Sequence, residues 1–529
     1  MYLHTFFTKI KPIYIVVVSI LIILVSTLPA LLQQSHTLYN LEPYPDGLLY
    51  SLSARNLVVA NTLALTYKQS VISYWVPPLY SCVLSTGYLV NSSPQTFYLV
   101  NIFLLLATVC TISWIVLYTT NSKLLLLFAI ILYLSHAYVL WLPTIPMSEN
   151  LCLFLFAVLI ALLLKKGEIG YKVFFTLLLI SLALVATKYS AFPLAAAAVA
   201  IVLIRLISNK SYKLLAVFFF ILIGGIAYIT ISNNEILLLF NYSILTNILV
   251  GNSPYFSLEL FNINSVSYLQ ALFTTRAHFL WQTTPLTSIP MGVAFLILLY
   301  KYFLSHDKYN IYQALVLLAQ FISQFALVIF FYTVDSRYII FTIILFTIGS
   351  SLLLHEIIRK TSVYIATLIF CFVLIVQIST QTKLYKEIFS ANILGRSAAW
   401  QYEAIKHFNS FTKEHPNQDA SPVIFITALP PFLVDAYQDG TYRVVPLSQH
   451  QEFIAKGQTV WGSDVNYENL IDGYIDWIRA GKKVYISNSY ITHQQSVISD
   501  YEYYKTVFTF ELVSSGCMDA CNIYQIRLK

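Results

Sequence analysis

Eleven apolar runs, each close to the length of a membrane span, constrain this chain more than any other feature. They lie at about residues 13–32, 97–118, 124–142, 150–164, 173–188, 192–208, 214–232, 285–303, 312–334, 338–354 and 362–380. A helix needs about 20 apolar residues to cross a bilayer. Backbone inside lipid must also satisfy its own hydrogen bonds, which helices do. The run Pro77 to Val90, PPLYSCVLSTGYLV, is shorter and marked by Pro and Gly, so it reads as a re-entrant or interfacial segment. The expected class is a polytopic α-helical membrane protein with about 11 transmembrane helices. No cleavable signal peptide is expected, because the first run is long enough to span and lacks a small-residue cleavage pattern.

Charge then divides the chain. Only 10% of the 529 residues are charged, against about 25% in soluble proteins. Nine of the 24 acids precede residue 380 and fifteen follow it. This predicts a membrane region over 1–380, with a first outer loop at about 33–96, and a soluble domain over 381–529. In that tail a helix is expected over 397–412, strands at PVIFIT (422–427) and YRVVPL (442–447), and a helix ending at Gly481 before the strand KKVYIS. Such alternation suggests a small α/β layer domain. It lacks a Gly-rich phosphate loop and reads as a docking or support domain that contributes to acceptor recognition.

Basic residues set the orientation. With the N-terminus inside, thirteen of those in the membrane region fall on inner loops. Only Arg55, Lys68, Lys188, Arg276 and Arg337 fall outside. Positive charge is retained on the cytoplasmic side, so the tail is expected to be extracytoplasmic, on the periplasmic side of a bacterial inner membrane. The net charge of +7 has this topological origin, and nucleic acid is not an expected partner. Cys82, Cys110, Cys152 and Cys371 lie in apolar segments and read as small core residues. Cys517 and Cys521, in CMDAC, read as a short-loop disulfide if the tail faces an oxidising compartment. A metal pair is disfavoured because no second Cys/His pair stands beside them.

The outer charges stand near predicted membrane boundaries, as do the acids Asp46, Glu149 and Asp335. Charge at the lip of a bilayer is costly and usually marks function. Each has an ordinary reading as well. Asp46 suits a Pro-Asp-Gly turn, and Glu149 suits a helix start. Lys188 and Arg337 suit snorkelling to the interface. For these four the functional reading is preferred. Arg276 and His278, in TTRAHFLWQ, also read as ordinary loop residues, and Arg55 as part of a solvated helix face; all three are kept as weaker substrate-binding candidates.

The stretches EPYPDGLLYSLSARNL, YWVPPLY, PMSENL, TKYSAF and DSRYIIF, in this order and on one side, resemble the polyprenyl-phosphate-sugar-dependent GT-C glycosyltransferases. That superfamily includes protein O-mannosyltransferase-like and lipid A aminoarabinose transferase-like families. The resemblance covers the membrane region and the plan of a C-terminal extracytoplasmic domain. It implies a GT-C-like fold and an integral-membrane glycosyltransferase that moves a sugar from a dolichyl- or undecaprenyl-phosphate donor to a lipid, glycan or protein acceptor hydroxyl. It implies that Asp46, in the first outer loop, is catalytic. The family's adjacent acidic pair is absent, since Gly47 follows Asp46, and Glu42 receives no role by analogy. Glu149 is the second candidate acid. A divalent cation, Mg or Mn, held by Asp46 and Glu149 is the one cofactor the resemblance leaves open.

The chemistry agrees independently. A sugar on a lipid phosphate already carries a good leaving group, so one carboxylate that takes the acceptor proton suffices for inversion. A glycosidase instead needs two carboxylates flanking the bond. Developing phosphate charge calls for fixed cations, which Lys188 and Arg337 supply. A transporter or flippase of lipid-linked sugars would favour charges buried mid-span and paired half-helices, and the sequence shows neither. A non-catalytic assembly protein would have no need of Asp46.

Overall fold

A computed structural model describes residues 46–61, 63, 77–92, 95–231, 260–273, 287–330, 336–361, 363–389, 398–416, 423–428, 442–448, 470–489, 491, 495–516 and 521–529. The expected first span at 13–32 lies outside them. The chain divides into two compact units. One comprises 1–35, 77–80 and 95–393; the other comprises 36–76, 81–94 and 394–529.

Two helices come from the region between the first two predicted spans. They are α1 (Asp46–Ala60) and α2 (Pro78–Val90), the latter covering the run expected to be re-entrant or interfacial. Of these, α1 and α2 beyond Tyr80 belong to the second unit. From residue 95 the first unit runs through α3 (Gln95–Thr120), α4 (Lys123–Leu134), α5 (Ala137–Trp141), α6 (Glu149–Leu163), α7 (Tyr171–Thr187), α8 (Phe192–Ser208) and α9 (Tyr212–Ile231). After these come α10 (Leu260–Phe273), α11 (Ile289–Phe303), α12 (Lys308–Ser323), α13 (Phe325–Val328), α14 (Thr342–Lys360) and α15 (Val363–Phe389). Among the described residues five helices are long and apolar enough to cross a membrane, or six if one bent pair is a single span. They are apolar outside as well as inside: Phe103, Ile204, Leu368 and Phe372 are exposed. A helix hydrophobic all round suits lipid, not water.

Among the candidate spans α14 is the most deeply buried, with Thr342 to Leu352 all buried. It packs on α3, α4, α11, α12 and α15. Gly349 lets α11 approach closely, since a Cβ there would lie 2.7 Å from Phe295 Cδ2. Where one span was expected over 124–142, α4 and the segment Ala137–Thr144 meet at 73°. The break falls at Ser135 and His136, without proline or glycine. Its backbone finds partners on α15, where Gln381 Oε1 accepts from the Ala137 N–H at 3.2 Å. Gln377 Nε2 lies 2.8 Å from His136 Nδ1. Bent backbone is tolerated at such depth when protein buries and satisfies it, and His136, Gln377 and Gln381 are fully buried.

The last carbonyls of α6 have no helical partners. Tyr312 Oη donates to Leu163 O at 2.8 Å and Tyr309 Oη to Leu164 O at 2.6 Å, both from α12. Arg205 of α8 donates to Lys165 O at 2.9 Å and also to Gly167 O.

In the second unit, α16 (Ala398–Glu414), β1 (Val423–Thr427), β2 (Tyr442–Pro446), α17 (Leu470–Arg479), β3 (Val484–Ser487), α18 (Gln495–Val507), β4 (Phe508–Ser514) and β5 (Ile523–Leu528) build an α/β layer structure. The sheet order is β2-β1-β3-β5-β4. Strands β1, β2 and β3 run parallel, while β5 is antiparallel to both β3 and β4. Phe408 and Phe411 of α16 pack on Val423, Phe425, Tyr442 and Tyr485. The alternating residues Ile424 and Ile426 are equally buried, as expected for a strand covered on both faces. Gly481, at φ +74°, ends α17: the Lys482 N–H reaches back to Trp477 O at 3.0 Å, closing the turn. Cys521 is disulfide-bonded; its expected partner Cys517 lies outside the described residues.

Candidate active site

The loop WLPTIPMSEN delivers Glu149. After α5 the chain makes a 3-10 turn at Leu142–Thr144, and Ile145 is extended at φ −135°, ψ 140°, as a residue before proline prefers. The loop is buried, so its carbonyls need partners. Asn150 Nδ2 donates to Leu142 O at 3.0 Å, Ile145 O at 3.2 Å and Met147 O at 3.0 Å. Asn101 Nδ2 on α3 donates to Ile145 O at 2.7 Å, and Tyr80 Oη donates to Asn101 Oδ1 at 2.6 Å. The loop is thus tied to two other elements before Glu149 opens α6, where the helix dipole favours a carboxylate.

Two cations meet that carboxylate. Lys188 is extended at φ −155°, ψ 120°, between the end of α7 and a 3-10 turn over Tyr189–Ala191. Its Nζ lies 2.6 Å from Glu149 Oε1 and 5.2 Å above the Tyr338 ring. Arg337 sits in the 3-10 turn Ser336–Ile339 that leads towards α14. Its Nη1 lies 4.0 Å from the same Oε1. Ser148 Oγ donates to Oε2 at 3.3 Å. The side chains are 1% exposed for Glu149, 12% for Lys188 and 9% for Arg337. Snorkelling would carry the cations out to water; here they turn inward onto one buried acid. The formal sum of the three is +1, which suits an anionic ligand.

The structure therefore brings together Glu149, Lys188 and Arg337 out of the sequence candidates. Asp46 is the first residue of α1, and its side chain lies outside the described set. Arg55, also on α1, donates from Nε to Asn56 Oδ1 at 3.1 Å. Arg276, His278, Glu42 and Asp335 lie outside the described residues. Sequence reasoning missed Tyr80, Asn101 and Asn150, which hold the loop; their only mark was a polar atom in an apolar run. A divalent cation finds little here, since its place beside Glu149 is taken by two positive side chains. Among the described residues no three His, Cys, Asp or Glu gather. The described set does not fit a metal.

No family model matches the sequence, and comparison with curated proteins finds no match. Comparison with solved structures shows a shared fold with two membrane-protein structures, ArnT and AglB. Crystal structures of ArnT from Cupriavidus metallidurans, one bound to undecaprenyl phosphate and one in the apo state, match with TM-score 0.57 at 10% sequence identity, over 97% of this chain and 97% of that chain. The archaeal oligosaccharyltransferase AglB from Archaeoglobus fulgidus, in complex with an inhibitory peptide and a dolichol-phosphate, matches with TM-score 0.53 at 11% identity, over 99% of this chain and 75% of that chain. At such identities the likeness is one of fold.

Proposed function

We propose that this chain is an inverting glycosyltransferase that moves a sugar from a polyprenyl-phosphate donor to an acceptor hydroxyl on the outer side of the membrane. In this reading it spans eleven times, with its N-terminus cytoplasmic and its C-terminal α/β unit extracytoplasmic, where it contributes to acceptor recognition. Lys188 and Arg337 hold the donor phosphate. Asp46, assigned on sequence grounds, takes the acceptor proton. The observation that carries the reading is the convergence of two nearly buried cations in a GT-C fold. Two of its structural neighbours were solved with a polyprenyl phosphate. The bonded Cys521 supports an oxidising side for the tail.

A flippase of lipid-linked sugars is the second reading, and the bent segment at His136 favours it, since broken helices line transporter sites. One variant separates the two. Asp46→Asn keeps the shape and loses the base, so the full-length protein in lipid nanodiscs should bind donor and transfer sugar at least about 100-fold more slowly. Mass spectrometry of the lipid that copurifies supplies the donor. Near-normal transfer would remove Asp46 from the mechanism. Lipid translocation without any glycosidic product from the wild-type protein would establish the flippase.

A further inference from the structure

We propose that Glu149 tunes the Lys188–Arg337 clamp to hold a phosphodiester and to let go of a phosphomonoester, which makes it a product-release residue rather than a second catalytic acid. The inference rests on the reading of Lys188 and Arg337 as phosphate ligands. Its basis is the sharing of one oxygen, Glu149 Oε1, between Lys188 at 2.6 Å and Arg337 at 4.0 Å. The carboxylate is 1% exposed and stands on the first residue of α6. Its other oxygen is held by Ser148. A side chain so enclosed cannot swing into water to vacate the clamp. Glu149 therefore lowers the charge of the clamp by one.

Charge counting gives the consequence. A lipid–phosphate–sugar diester carries one negative charge. In the transfer the bond from the sugar C1 to the phosphate oxygen breaks, and its electron pair stays on that oxygen. A new bond forms from C1 to the acceptor oxygen, whose proton passes to Asp46 and then to water. The lipid phosphate left behind is a monoester with a second pKa of about 6, so near neutral pH it carries about two negative charges. The extra charge faces a buried carboxylate across a low-dielectric site. Without Glu149 the clamp would carry one more positive charge and be slower to release the product.

Short-chain probes test this without knowledge of the sugar. Farnesyl phosphate is a monoester and farnesyl methyl phosphate a diester of nearly the same shape. Their dissociation constants would be measured on the full-length protein in nanodiscs near pH 7.5. Glu149→Gln should raise the preference for the monoester at least tenfold, and Glu149→Asp should restore the wild-type ratio. Lys188→Met removes one positive charge and should shift the ratio the opposite way, which keeps the proposal testable if Glu149→Gln does not fold. An unchanged ratio in Glu149→Gln overturns the inference, as does an equal loss of both probes. Failure of the underlying phosphate reading looks different: Lys188→Met and Arg337→Met would both leave the affinity for each probe unaltered.

Discussion

Replacing Lys188 by Met and Glu149 by Gln, singly and together, measures what the buried pair contributes to the fold. At 2.6 Å and an effective dielectric of about 20, the gross attraction is roughly 6 kcal/mol. The Arg337 contact at 4.0 Å contributes about 4 kcal/mol on the same basis. Desolvation offsets much of this, at several kcal/mol for each buried ion. Lys188→Met leaves Glu149 on its weaker cation, so the loss should sit at the low end for a broken buried pair, about 3 kcal/mol. Glu149→Gln leaves two cations facing each other and should cost a similar amount. The double variant has no orphaned carboxylate and one cation fewer, so its loss should fall short of the sum by about 2 kcal/mol. The assay is unfolding of purified full-length protein in detergent, followed by tryptophan fluorescence. Additivity within about 0.5 kcal/mol would refute the reasoning, since that is the behaviour of independent sites.

Three further outcomes are expected. Gly349→Ala places a methyl 2.7 Å from Phe295 Cδ2, and Phe295 is fully buried, so overpacking should destabilise the protein by about 1–3 kcal/mol; an unchanged unfolding midpoint would show that α11 has room to move. His407 on α16 is held below its ordinary pKa by burial, against the opposing pull of Glu414 and the Ser514 backbone. The unfolded chain therefore takes up this proton first, and stability should fall as pH drops below about 6.5. His407→Gln should flatten that slope in pH-dependent thermal scans, and an unaltered slope would rule His407 out as its source. A reporter fluorescent only in the cytoplasm, fused after Lys529, should stay dark; a bright signal would overturn the orientation and the outer-face site with it.

What was legible in the sequence was whatever depends on neighbours along the chain. The long apolar helices α3, α8, α12, α14 and α15 follow from runs that water would not tolerate. Scarcity of charge singled out Glu149, Lys188 and Arg337. Their mutual contact was not legible, because it depends on how α6, α7 and the turn before α14 pack. Nor was the bend at His136 and Ala137, whose partners Gln377 and Gln381 lie 241 and 244 positions along the chain from them, respectively. The apolar run through Leu134 and Ala137 reads as continuous because nothing local breaks it. In the tail, β1, β2 and β3 were legible as strands from their short apolar runs. Strand β4 has the largely exposed pattern Phe508, Thr509, Phe510, Glu511 and Leu512, and only its pairing with β5 defines it.

The fastening of α6 at both ends makes it a rod under two constraints. At one end Glu149 is locked by Lys188; at the other, Tyr309, Tyr312 and Arg205 grip the terminal carbonyls and the turn that follows. Its 15 residues make it about 22 Å long. A helix of that length, hydrogen-bonded throughout, transmits a small axial shift almost undiminished. The height of the carboxylate is therefore set jointly by its own ion pair and by two tyrosines and an arginine at the opposite end of the helix. Residues at the far end of the helix thus help to fix where the carboxylate and its ion pair stand.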